Sequence, residues 1–167
     1  ADATFTEIPN PDIIVFPGGH GTRSLMTDDH VLDWIRNAHP TTTFTTSVCT
    51  GSLVLAAAGL LDGLSATTHW GARAVLTEHG ATPVPDRVVE HLDQRIITAA
   101  GVSSGIDMAL RLVELLGNSA STNHTANIGR HNDHVFILTG DNVVVEYGRG
   151  VHVVYRTGEE PLNLLGV

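Results

Sequence analysis

Cys49 is the one cysteine of the chain, and it stands where a thiol can do chemistry. The stretch Thr45-Thr46-Ser47-Val48-Cys49-Thr50-Gly51-Ser52 runs from a β-branched segment into an apolar one. That is the order of a strand, a sharp corner and a helix, the context of a nucleophile elbow. At a helix N-terminus, unpaired N–H groups and the positive end of the dipole favour a thiolate. Gly51 lets the backbone turn there without a Cβ in the way. The competing reading is a buried structural cysteine, which is common for a lone thiol.

A second segment, Pro17-Gly18-Gly19-His20-Gly21-Thr22, follows another apolar run. Its glycines allow close backbone approach, and their N–H groups can aim at a developing negative charge. The backbone amides of Gly19 and Thr50 are the pair expected to form an oxyanion hole. A third block, Ala66-Thr67-Thr68-His69-Trp70, offers His69, either as a base near Cys49 or as a histidine at the core edge. His124, His131 and His134 carry metal-ligating side chains, but their uneven spacing in polar sequence reads as solvated histidines. No metal is therefore expected. A single cysteine also excludes an intrachain disulfide and any Cys-rich zinc site. Asp28, Asp29 and Asp33 read as a solvated helix face, and Asn123-His124-Thr125 as an idle glycosylation sequon.

The elements that must position these residues alternate over residues 1–117. Asp12 to Phe16 reads as a buried strand closed by Pro17-Gly18-Gly19. Thr27 is placed to cap a helix with Asp28 and Asp29 in its first turn, and Val31, Leu32, Ile35 and Ala38 share one face at helical spacing. Thr42 to Val48 is a second strand, and Gly51 to Leu61, apolar on every side, a deeply packed helix. Trp70 to His79 is a further helix with Gly80 as its cap. Arg87 to Glu90 and Arg95 to Thr98 flank a polar turn, His91 to Gln94, and read as a hairpin. Ser104 opens a last helix, Ile106 to Leu116, with Asp107 as the capping-box acid.

This alternation predicts a doubly wound α/β sheet. Residues 118–133 are polar and without period, a loop or linker. Beyond them His134–Thr139, Val143–Tyr147 and Val151–Tyr155 read as short strands joined by hairpin-type turns, Gly140-Asp141-Asn142 and Gly148-Arg149-Gly150.

The chain has 167 residues, enough for a single domain over 1–167 that buries roughly 70% of its unfolded surface. Nine Arg and no Lys face eighteen Asp and Glu, a formal charge of −9. Without a basic stripe, a nucleic-acid partner is not expected. The longest apolar run, Leu53 to Leu61, is too short to span a membrane, and Ala1-Asp2-Ala3-Thr4 lacks the basic-then-apolar order of a signal peptide. A soluble, cytoplasmic globular protein with no membrane partner is the expectation.

The glycine segment at 17–22, the Cys49 block with the apolar run to Leu61, Ala66-Thr67-Thr68-His69-Trp70 and Gly101-Val102-Ser103-Ser104-Gly105-Ile106-Asp107-Met108 together resemble the DJ-1/PfpI superfamily, and within it the isonitrile hydratase (isocyanide hydratase) branch. The resemblance covers roughly residues 1–117. It implies a flavodoxin-like α/β sandwich, a homodimer, no cofactor, and a lyase in which Cys49 is the nucleophile hydrating an isonitrile to an N-substituted formamide. It also implies that Thr50 holds the attacking water and that the Gly19 amide joins the oxyanion hole. PfpI-type peptidases carry a His directly after the Cys. Thr50 stands there instead, which argues against peptidase activity.

Two rivals keep the scaffold: a glyoxalase-type hydration, and a ligand- or redox-sensing domain whose Cys49 is oxidised to the sulfinate. The same Cys block occurs in ligand domains of AraC-type regulators, which carry a helix-turn-helix region downstream, whereas residues 118–167 read as loop and strands. The family begins with a strand and helix that supply an acid beside the Cys, and this chain starts after that unit. His134 to Gly140 resembles the family's first strand and turn, and Val151 to Gly158 its second strand. That is the pattern of a circular permutation, or of a rearranged or shortened gene, in which residues 134–167 replace the usual unit at the sheet edge. Glu146 or Asp141 is then the candidate for the missing acid.

Overall fold

The computed structural model describes residues 3–101 and 103–117, and after them the strands 127–131, 134–138, 143–146 and 152–155. The first strand, β1 (Ile13–Phe16), is followed by a single turn of helix, α1 (Thr22–Leu25), and by α2 (Asp29–Ala38). Then come β2 (Phe44–Val48), α3 (Gly51–Ala57), the two-residue β3 (Ser65–Ala66), α4 (Arg73–Glu78) and β4 (Thr82–Pro83). The hairpin β5 (Val88–His91) and β6 (Ile96–Ala99) leads into α5 (Ser104–Gly117). Four more strands follow: β7 (Asn127–His131), β8 (His134–Leu138), β9 (Val143–Glu146) and β10 (His152–Tyr155).

The principal sheet has the order β1-β2-β6-β5. β1 and β2 are parallel, with Phe16 opposite Ser47, and β2 and β6 are parallel, with Ser47 opposite Thr98. Parallel neighbours need crossovers long enough to carry helices, and those helices cover the sheet. Ile14, Phe16 and Ile96 therefore meet Val31, Leu32, Ile35 and Ala38 of α2, Leu53 to Ala56 of α3 and Leu76 of α4 in one apolar core. The expected α/β architecture with a parallel sheet is observed. It leaves the C-terminal ends of β1 and β2 side by side, where open α/β sheets bind ligands.

Several element ends differ from the sequence reading, each for a local reason. The cap of α2 is Asp28, not Thr27: the carboxylate accepts from the N–H groups of His30 at 3.0 Å and Val31 at 3.4 Å. The Thr27 hydroxyl donates instead to Ser24 O. Helix α3 stops at Ala57 rather than Leu61, because Gly59 takes φ +83°. The N–H groups of Gly59 and Leu60 then bond back to Ala56 O and Leu55 O, a Schellman ending. The helix expected from Trp70 opens as a 3₁₀ turn, Trp70–Ala72, before α4. Asp107 closes no capping box. It is held by Arg87, whose Nε lies 2.7 Å and Nη2 2.6 Å from Oδ2. The hairpin β5–β6 is antiparallel as expected.

The chain divides into two compact units, Ala1–Met108 and Ala109–Val167. Within the second, part of the expected polar loop at 118–133 forms β7, which pairs antiparallel with β8. Pairing with an apolar partner strand overrides the weak strand preference of Asn127, Gly129 and Arg130. β9 pairs antiparallel with β10. The turns at 140–142 and 148–150 lie outside the described residues. No helix among the described residues is long and apolar enough to cross a membrane.

Candidate functional site

The corner after β2 is built around Cys49, whose backbone sits in the left-handed region at φ 56°. For a residue with a Cβ this conformation costs about 1–2 kcal/mol, so the surroundings must hold it. They do so from three elements. The Cys49 N–H donates to Ala99 O at the end of β6, 2.8 Å away. The Cys49 carbonyl accepts from Ser52 Oγ in α3 and from Thr68 Oγ1, each at 3.0 Å. The residue is half-buried rather than sealed in the core.

Two glycines make room for this corner. A Cβ on Gly51 would stand 2.1 Å from Phe16 O, so α3 can start only because its first residue lets it approach the end of β1. A Cβ on Gly18 would stand 2.6 Å from Cys49 Cβ and 3.0 Å from its Sγ. The sequence reading gave the sharp turn to Gly51. The structure puts the unusual backbone on Cys49 itself and assigns Gly51 to close packing. Gly18 belongs to the glycine segment expected to come close, whereas Ser52 and Thr68 were given no role from sequence, and Thr68 lies nineteen positions from the corner.

The glycine segment does come to Cys49, but its amides are not all free. Gly19 N–H donates to Thr50 Oγ1 at 2.9 Å, and Gly19 O accepts from that same hydroxyl at 3.2 Å and from Thr22 Oγ1 at 2.8 Å. Of the two amides expected to form an anion hole, Gly19 is thus engaged by Thr50. The Thr50 N–H has no acceptor among the described residues.

His69 stands half-buried at the start of the 3₁₀ turn. Its Nδ1 accepts from Gly71 N–H at 3.2 Å, so the ring caps the 3₁₀ turn, and it lies beside the exposed Trp70, with ring centroids 5.2 Å apart. It makes no hydrogen bond to Cys49; the member of its block that does reach Cys49 is Thr68. Asp141 lies outside the described residues, as does the side chain of Glu146 in β9. Among the described residues no group of three His, Cys, Asp or Glu is arranged to hold a metal ion. His124 and the side chains of His131 and His134 lie outside them.

Among the described residues, the histidine held away from its usual titration range lies at the other end of β2. Burial chiefly, and then the Arg95 charge, hold His39 below the usual histidine value. Its Nδ1 is 2.9 Å from Thr45 Oγ1, which is 3.0 Å from Thr42 Oγ1, which in turn donates to His39 O. A hydroxyl has one proton to give, so this ring closes only if His39 donates from Nδ1.

Comparison with known proteins bears on the fold and the family. A family model described as DJ-1/PfpI matches residues 1–115. Isonitrile hydratase of Pseudomonas putida is 50% identical over 115 residues, 68% of this chain and 50% of that protein. The HTH-type transcriptional regulator GbdR of Pseudomonas aeruginosa is 31% identical over 112 residues, 67% of this chain and 30% of the regulator. Among solved structures, a ThiJ/PfpI family protein from Pseudomonas syringae superposes with a TM-score of 0.62 at 33% identity, over 75% of this chain and 57% of that one. The chain thus spans about half the length, or less, of the curated relatives named here. A parallel sheet with a strained cysteine at the end of its inner strand, matched by family model, relatives and fold alike, leaves one assignment: the chain belongs to the DJ-1/PfpI family.

Proposed function

We propose that the Cys49 site hydrates an isonitrile to an N-substituted formamide. The observation that carries this reading is the half-buried Cys49, held at φ 56°, in a region half identical to an isonitrile hydratase. The sulfur attacks the terminal isonitrile carbon. A carbon–sulfur bond forms and the proton lost by the thiol is returned to that carbon, giving an N-substituted thioimidate. Water then adds to the carbon, nitrogen takes a proton, and the carbon–sulfur bond breaks to release the formamide and the thiol. The sum is one isonitrile and one water in, one formamide out.

In this reading the Thr50 hydroxyl, which already both donates and accepts, trades its Gly19 partner for the attacking water. That exchange frees the Gly19 N–H to join the Thr50 N–H on developing negative charge. His69, Glu146 and Asp141 are the side chains proposed for proton relay. A second copy of the chain is the proposed protein partner.

Formamide production from cyclohexyl isonitrile by the wild type and by Cys49→Ser tests the covalent route. The serine variant is expected to lose about a thousand-fold or more, and equal rates in the two would overturn it. The regulator relative favours a second reading, a ligand-binding domain without turnover. Saturable isonitrile binding with no formamide formed would select it.

A further inference from the structure

We infer that Thr68 is a positioning residue, whose hydroxyl, together with that of Ser52, locks the Cys49 carbonyl and keeps the thiol-bearing residue in its left-handed turn. A carbonyl oxygen has two lone pairs. Here two hydroxyls from different parts of the chain, Ser52 Oγ and Thr68 Oγ1, each sit at 3.0 Å from it, with the Ser52 N–H as a longer third donor at 3.5 Å. The N–H of the same residue is tied to Ala99 O at 2.8 Å. Thr68 is 1% exposed, so its hydroxyl has no water to turn to. Its own segment is anchored as well: the Thr67 N–H donates to Thr98 Oγ1 at 3.0 Å.

A relaxation of Cys49 to right-handed or extended backbone would swing its carbonyl away from both donors. The Thr68 hydroxyl would be left buried and unpaired, which is the costly outcome for a polar group. An uncommon backbone conformation persists only where its neighbours over-determine it, and Thr68 is the neighbour furthest along the chain among the two side chains that do so. The inference rests on the reading of Cys49 as the reactive residue. Its test therefore measures thiol alkylation rather than isonitrile turnover, so that the two fail separately.

Cys49 is alkylated with iodoacetamide at neutral pH in the intact chain, with folding followed by circular dichroism. Thr68→Val keeps the shape and removes the donor, and it is expected to slow alkylation about three- to ten-fold, the scale set by one net hydrogen bond. Thr68→Ser restores the hydroxyl and is expected to return the rate to within about two-fold of wild type. A folded Thr68→Val reacting at or above the wild-type rate overturns the inference, as does a slowing that Thr68→Ser does not repair. Should Thr68→Val fail to fold, Ser52→Ala removes the other hydroxyl from the same carbonyl and leaves only the longer Ser52 N–H contact. An unchanged rate in that variant overturns the inference equally.

Discussion

Around Cys49 the space for one methyl group is missing twice, and the two absences have different consequences. On Gly51 an added Cβ meets the Phe16 carbonyl, which belongs to a sheet strand and cannot move aside alone. Gly51→Ala is expected to destabilise the fold by about 1–3 kcal/mol or more, read as a lower midpoint in urea. On Gly18 the added Cβ meets the Cys49 side chain itself, with Sγ at 3.0 Å. Gly18→Ala is expected to change the alkylation rate of Cys49 more than it changes the urea midpoint. The reverse ranking of the two variants would show that the corner is packed differently. At this scale the sequence disclosed the residue types, Cys49, Thr50 and Gly19, because their order along the chain is itself the motif. It could not disclose that Cys49 bears the strain or that Thr68 holds its carbonyl. Those contacts join positions nineteen apart or more, and no spacing rule carries them.

The helices show which signals are strong enough to read. In α2 the buried positions Val31, Leu32, Ile35 and Ala38 are those that helical spacing picks out, since an amphipathic period survives any error at the ends. The end itself was misplaced by one residue, because Thr27 and Asp28 are both good caps and only backbone direction decides between them. Asp28→Ala is expected to cost about 1 kcal/mol, seen as a shift of the urea midpoint at unchanged slope. Thr27→Ala is expected to leave that midpoint nearly unmoved, its hydroxyl bond to Ser24 being solvent-exposed. The four-residue α1 and the two-residue strands β3 and β4 had no chance of being read, for a period needs more than one repeat to register. Asp107 illustrates a different failure. Its local role as a capping-box acid was open, and a bidentate arginine from the preceding hairpin took it.

For the molecule as a whole, acid sensitivity follows from His39. Burial and Arg95 hold its folded value below the usual 6.5, so the folded state binds the proton less readily than the unfolded chain does. The sign is then fixed: stability is retained above about pH 6.5 and declines as pH falls through the unfolded value. His39→Gln is expected to flatten that decline, and a urea midpoint with unchanged pH dependence between about pH 7 and 5 in the variant would contradict it. The parallel architecture was legible because helices alternate with strands up to residue 117. The strand β7 was not, since a strand made of polar residues is defined by its partner rather than by its own composition. The inner place of β2, with β6 rather than β5 beside it, also carries a cost in time. The Cys49 corner is completed by Ala99, supplied by a strand separated from β2 in the sequence by two helices and β5. Such distant pairings close late in folding. On the proposed reading of Cys49, a nascent chain that has not yet paired β6 with β2 is expected to display an ordinary cysteine, because Ala99 is not yet there to hold its N–H.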